Sequence, residues 1–229
     1  MSFSSTNFNV KYHDLGEGNT LHVINIEEID RKLNTLINQS ISTICYGDDH
    51  TDISIIKKEL INYFDSKTQN NDYRLTMGSI AEFIIHLYLN DIGFKQEFLF
   101  QNLEENSIKK GFDGLYTLKN EMWLFESKSG SSNTVNISHN SLINISYKDL
   151  FNKVSKKTSN NPWKNALNHA KIAGTTDDIL KDIKKLSNEY ILKKYQNIKD
   201  FNIIPSSTIF LEGNWIEIDE LKITPKIKK

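Results

Sequence analysis

The sequence predicts an α/β fold with an N-terminal α+β addition, and three features carry that expectation. Segments with apolar residues at helical spacing recur along the chain. Short apolar runs stand between them, and Gly-, Asn- and Ser-rich connectors punctuate the two. With 229 residues, 38% of them hydrophobic and only three prolines, the chain suits one large domain or a core domain with a helical addition. The polar connector "SKTQNNDY" marks the boundary. Residues 1–70 are the expected N-terminal subdomain, a candidate partner interface, and residues 71–229 the core with C-terminal additions.

Two short strands open the chain, near Asn9–Tyr12 and Leu21–Ile26, joined by the Gly-containing "DLGEGN" loop. "IEEIDRKLNTLINQ" follows with Ile26, Ile29, Leu33, Leu36 and Ile37 at helical spacing, and "ISTICY" then reads as strand. A second amphipathic helix carries Ile53, Ile56, Leu60, Tyr63 and Phe64 on its apolar face. "RLTMGSIAEFIIHLYLNDIGF" is apolar nearly all round from Ile80 to Leu89, which is the mark of a helix buried on most sides. Three strands come next, over Gln96–Gln101, Gly114–Leu118 and Met122–Lys128, with a tight turn at Lys119-Asn120. Residues 129–161 show no convincing long element, although "NSLINISY" suits a short strand. "NNPWKNALNHAKIAG" is a well-marked helix, with Asn161 as cap, Pro162 in its first turn and Gly174 at its end. A long basic helix follows from its cap at Thr176, and "STIFLE" and "WIEID" read as strands around Gly213-Asn214.

Composition excludes several classes. No run approaches the roughly 18 apolar residues of a membrane span, and "MSFSSTNFNV" has neither region of a signal peptide. The single cysteine, Cys45, rules out an internal disulfide and a Cys-based zinc site, and suits a reducing, cytoplasmic setting. Net charge is −1 but unevenly spread: residues 1–108 sum to −8, 109–147 to +1 and 148–229 to +6. A basic C-terminal third beside an acidic N-terminal half suits contact with nucleic acid on one side only, or simply a solvated helix surface.

The chemistry concentrates in "FDGLYTLKNEMWLFESKSG". An apolar strand ending Met-Trp-Leu-Phe turns abruptly into Glu126-Ser127-Lys128, just downstream of an isolated Asp113. Charge at the end of a buried strand is costly unless paired. Strand alternation puts Glu126 and Lys128 on one side and Ser127 on the other, and Asp113 enters the preceding strand of the same hairpin. Two carboxylates about one side chain apart are a hard-oxygen site of the kind Mg²⁺ takes, with water and phosphate filling the other positions. The Ser127 carbonyl is a natural further ligand, and Lys128 can handle the water or balance transition-state charge. The competing reading is a solvent-facing cross-strand salt bridge.

Asp113 followed by Glu126-Ser127-Lys128 across a hairpin resembles the PD-(D/E)XK nuclease superfamily. The resemblance covers about residues 74–212. It implies a restriction-endonuclease-like core of helix, three-stranded antiparallel meander, helix and strand. Gly78–Ile92 would supply the first helix, Pro162–Ala173 the second and Thr208–Glu212 the fourth strand. Glu82 in "GSIAEF" matches the Glu that the family's first helix often gives to the metal site, and Phe112 stands where Pro often precedes the Asp. The implied metal set is Glu82, Asp113, Glu126 and Ser127, and the catalytic set Glu82, Asp113, Glu126 and Lys128. More narrowly, "GFDG" and "WLFESKSG" are similar to the nuclease subunit of Hachiman-type anti-phage defence, which implies a helicase partner.

The expected activity is Mg²⁺- or Mn²⁺-dependent hydrolysis of DNA phosphodiester bonds. Lys156, Lys157, Lys164 and Lys171 are the expected nucleic-acid contacts. Alternatives are a catalytically inactive nucleic-acid-binding or interaction subunit, a stand-alone restriction endonuclease, or a Holliday-junction resolvase. His86 reads as a core or surface histidine, and His169 as a solvated one on the polar side of its helix.

Overall fold

The structure, a computed structural model, describes residues 3–47, 51–67, 73–100, 111–156, 158 and 160–211. Lys157, Gln101, the Gly213-Asn214 turn and the "WIEID" strand lie outside them. The chain is α/β with a mixed sheet. In order it forms β1 (Asn9–Gly16), β2 (Asn19–Asn25), α1 (Arg31–Tyr46), α2 (Ile53–Lys67), α3 (Arg74–Asp91), β3 (Lys95–Gln96) and β4 (Gly114–Leu118). Then come β5 (Glu121–Ser131), α4 (His139–Ser155), α5 (Pro162–Ile172), α6 (Asp177–Ile191) and β6 (Asn202–Phe210).

β1 and β2 pair as a separate hairpin. The main sheet has the order β3-β4-β5-β6, antiparallel up to β5 and parallel between β5 and β6. A parallel neighbour cannot be reached by a tight turn, and α4, α5 and α6 together make the crossover. The β4–β5 turn at Lys119-Asn120 has φ of 52° and 65°, the double positive φ that a two-residue hairpin loop needs to follow strand twist.

Each face of the sheet holds its own hydrophobic cluster. On one, Phe83, Leu87 and Tyr88 of α3 meet Tyr116 and Phe125. On the other, Leu150 and Val154 of α4 meet Leu115, Leu124, Phe112 and Trp163. The first cluster does not stop at residue 70. Phe8, Leu33, Ile41, Ile44, Ile56 and Leu60 join it, so the hairpin, α1 and α2 share a core with α3.

Three expectations from sequence are corrected. Of the strand expected from Gln96 to Gln101 only Lys95–Gln96 forms, and residues 97–100 are not strand, the Phe100 amide donating to the Ile44 carbonyl instead. "ISTICY" continues α1 as helix, because Ile41, Ile44 and Cys45 at helical spacing all find cover against the α3 cluster. Burial of that face outweighs the modest helix cost of its β-branched residues. Residues 139–155 form a full helix, capped by reciprocal Ser138 and Ser141 hydrogen bonds, rather than loop or short strand. Its buried residues, Leu142, Ser146, Leu150 and Val154, repeat every four positions, and the polar Ser146 in the stripe masks the signal.

The helix lying on β5 and β6 is therefore α4, and α5 packs mainly on α6. α5 begins as expected, with Asn161 accepting from the Trp163 and Lys164 amides. Thr176 stands at the α6 cap position but its hydroxyl makes no capping bond, and α6 ends at Ile191. Among the described residues no helix is long and apolar enough to cross a membrane.

Candidate active site

β5 is the strand that brings charge into the interior. Its alternation sends Trp123 and Phe125 towards α3 and Leu124 towards α4. Continuing that rhythm, Glu126 and Lys128 project on the α4 face and Ser127 on the α3 face. β4 ends its pairing at Gly114, opposite Phe125. Asp113 is the next residue back and so stands beside Glu126. It is anchored there by the Ser127 amide, which donates to Asp113 Oδ2 at 2.8 Å. In a strand the N–H and C=O of one residue leave on the same side, so the Ser127 carbonyl also points towards Asp113.

Glu126 is only 2% exposed, and two ammonium groups hold it. Lys128 Nζ donates to Oε1 at 2.8 Å, and Lys153 Nζ, from the last turn of α4, donates to Oε2 at 2.5 Å. Lys128 also pairs with Asp149 of α4 at 2.8 Å. The Ser146 hydroxyl, buried in the same helix, donates to the Glu126 carbonyl at 2.7 Å. Burial works to lower the Lys128 pKa. Glu126, the hydrogen bonds to Asp149 and Glu126, and Asp113 outweigh it and carry the amine above its ordinary value. Lys128 therefore remains an ammonium throughout the neutral range.

Ser146, Asp149 and Lys153 lie three and four positions apart, on one face of α4, and sequence reasoning missed all three. Their spacing would have disclosed them once residues 139–155 were read as helix.

Glu82 sits on α3, on the other side of the sheet, where its carboxylate lies 3.5 Å from His86 Nε2. His86 is fully buried, hydrogen-bonds Tyr116 through Nδ1, and packs on Phe125 and Phe100. Gly114 is what lets the ring in. A Cβ there would stand 2.8 Å from Phe125 and 3.2 Å from His86. Among the described residues no group of three or more His, Cys, Asp and Glu side chains closes round a point where a metal could be held. The structure thus brings Asp113, Glu126, Ser127 and Lys128 together, and Glu82 pairs with His86 on α3.

The oxygen donors nonetheless suit a hard divalent cation. Asp113, Glu126 and the Ser127 carbonyl supply two carboxylates and one neutral oxygen at one strand edge, the set that Mg²⁺ completes with water and phosphate. The two lysines on Glu126 are themselves cations standing at that carboxylate.

Three of the four expected nucleic-acid contacts lie among the described residues. Lys164 and Lys171 are exposed on α5, and Lys156 is exposed just past α4, over the Phe151 ring at 5.0 Å. No ion pair joins these three to the Glu126 cluster among the described residues. His169 is not solvated as expected. It is 1% exposed and stacks on Phe98 at 3.8 Å, because α5 turns that side towards Phe98 rather than to water. No protein-family model matches this chain, and no characterised protein or solved structure matches it.

Proposed function

We propose that this protein is a Mg²⁺- or Mn²⁺-dependent DNA nuclease of the PD-(D/E)XK type. The observation that carries the reading is the meeting of Asp113, Glu126 and Lys128 at one strand end, on opposite strands of a hairpin. The order of elements supports it: α3, then the β3–β4–β5 meander, then a helix on the sheet and β6 parallel to β5. The helix in that role is α4 rather than α5.

Asp113, Glu126 and the Ser127 carbonyl would hold the cation, which would supply Lewis-acid polarisation of the phosphate and a more acidic bound water. The chain's own contribution is placement and charge. The Ser127 amide fixes Asp113, and the Ser146 hydroxyl pins the strand backbone at Glu126. Lys128 is favoured in its charged form by the carboxylates around it. Its role is to donate hydrogen bonds to a phosphate oxygen and offset the negative charge that grows there. Glu82, paired with His86 on α3, is the further carboxylate that the family's first helix would add to the metal set.

A second reading, a non-catalytic nucleic-acid-binding or interaction subunit, draws on one observation. Glu126 has both oxygens satisfied by lysines, as a purely structural ion-pair network would. Incubating the protein with plasmid and linear DNA separates the two. A nuclease cleaves with Mg²⁺ or Mn²⁺, not with Ca²⁺ or EDTA, and Asp113→Ala and Lys128→Ala abolish the cleavage. Intact DNA with every cation points to the second reading. A role in anti-phage defence beside a helicase rests on the sequence resemblance, and co-purification of a large ATPase with the tagged full-length chain tests it.

A further inference from the structure

We propose that Lys153 is a working member of this site: a resident counter-ion that neutralises Glu126 in the metal-free protein, competes with a divalent cation for that carboxylate, and turns to substrate phosphate once displaced. The proposal rests on the reading of Asp113 and Glu126 as a cation site.

The starting point is crowding at one buried carboxylate. Glu126 is 2% exposed, and each of its oxygens already accepts from an ammonium group. A buried carboxylate left without a partner is costly, and here the two ammonium groups supply the compensating charge. A metal that binds Glu126 must then displace one of the two lysines.

Lys153 is the one placed to leave. Lys128 lies on the same strand as Glu126, two residues away, and is tied to Asp149 as well. Lys153 comes from the last turn of α4, and among the described residues its only ion pair is with Glu126. Both lysine side chains are partly exposed, so the single tether rather than exposure singles out Lys153, whose flexible four-carbon stem can swing the ammonium towards solvent.

Charge balance agrees. On this face of the sheet Asp113, Glu126 and Asp149 oppose Lys128 and Lys153, which leaves one net negative charge. A divalent cation converts that into one net positive charge, matching the single negative charge of a phosphodiester. The released Lys153 ammonium is the mobile part of that surplus.

The test is calorimetric titration of Mg²⁺ and Mn²⁺ into the full-length protein without nucleic acid, for wild type, Lys153→Met, Lys153→Arg and Glu126→Gln. Removing the competing charge should tighten cation binding about tenfold in Lys153→Met, since each tenfold is a modest electrostatic change at such short range. Lys153→Arg should bind like wild type, and Glu126→Gln should lose binding. If Glu126→Gln binds as wild type does, the cation site is not at Glu126 and the nuclease reading falls with this one. If Glu126→Gln loses binding while Lys153→Met binds no more tightly than wild type, Lys153 is a structural tether and only this proposal falls. Should Lys153→Met fail to fold, the wild-type protein gives the same answer through its lysine side-chain NMR signals. On adding Mg²⁺ the Lys153 signal must move further than that of Lys128, and an unmoved Lys153 overturns the proposal.

Discussion

Replacing Glu126 by Gln removes one charge from the interior while preserving shape, and the structure sets the expected cost. Glu126 accepts from Lys128 at 2.8 Å and from Lys153 at 2.5 Å, each a charge-assisted hydrogen bond. Such bonds contribute about 1.5–3 kcal/mol each. A Gln carbonyl still accepts from one lysine, but its NH₂ end presents donors to the other. The loss is limited because Lys128 keeps Asp149, and both lysine side chains are partly exposed, at 26% and 21%, so a freed ammonium can reach water. The net destabilisation is therefore about one charged hydrogen bond, roughly 2 kcal/mol. For a chain of this length that lowers the melting temperature by about 4–8 °C.

The pH dependence has a definite sign. Lys128 has a folded pKa above its ordinary value of 10.5, so its stabilising contribution is complete below that value and is lost as pH rises through the folded pKa. The gap between wild type and variant should be full at neutral pH and narrow in strong alkali. Thermal melts followed by circular dichroism, at neutral pH and in alkali, measure it. A cluster of uncompensated carboxylates would behave oppositely and gain stability when one charge is removed. A Glu126→Gln protein that melts at or above wild type at neutral pH refutes the two-lysine clamp.

Other predictions concern the rest of the chain. His22 lies against Phe3, Tyr12 and Tyr88 with Nδ1 hydrogen-bonded to the Tyr88 hydroxyl at 2.7 Å, and burial pushes its pKa down to about 4. Its neutral form therefore contributes stability above pH 6.5 that is lost as pH falls towards 4. His22→Phe should flatten that acid limb of the stability curve, and an unchanged slope would show that the imidazole titrates freely. Lys164→Glu together with Lys171→Glu should weaken DNA binding across sequences and flatten its salt dependence. Fluorescence anisotropy at several salt concentrations reads both, and unchanged values assign these lysines to a solvated surface. Deleting residues 1–70 removes Phe8, Leu33, Ile44, Ile56 and Leu60 from the cluster around Phe83, Leu87 and Tyr88. The truncated chain should aggregate on expression, and a soluble monomer with a cooperative melt would show that the N-terminal part is separable after all.

Much of this protein was legible in sequence where the signal was local. The hairpin turn at Lys119-Asn120, the Asn161 cap with Pro162 in the first turn, and the buried helix through Leu87 each rest on residues close together in the chain. Asp113 and Glu126 belong to the same class, because a tight turn and strand alternation set their approach without help from elsewhere. The parts that resisted depended on what covers a segment. "ISTICY" is helix because α3 and its neighbours bury that face, and no propensity scale contains them. α4 hid because its stripe includes Ser146, a polar residue whose partner, the Glu126 carbonyl, lies twenty residues upstream. With α4 unrecognised, Lys153 and Asp149 could not be placed beside Glu126 and Lys128. An ion pair across a parallel crossover is decided by how the helix lies on the sheet, and that follows from side-chain packing over both β5 and β6. Asp113 and Glu126 meet through a local hairpin, whereas Lys153 and Asp149 join them only through the packing of α4 on the sheet.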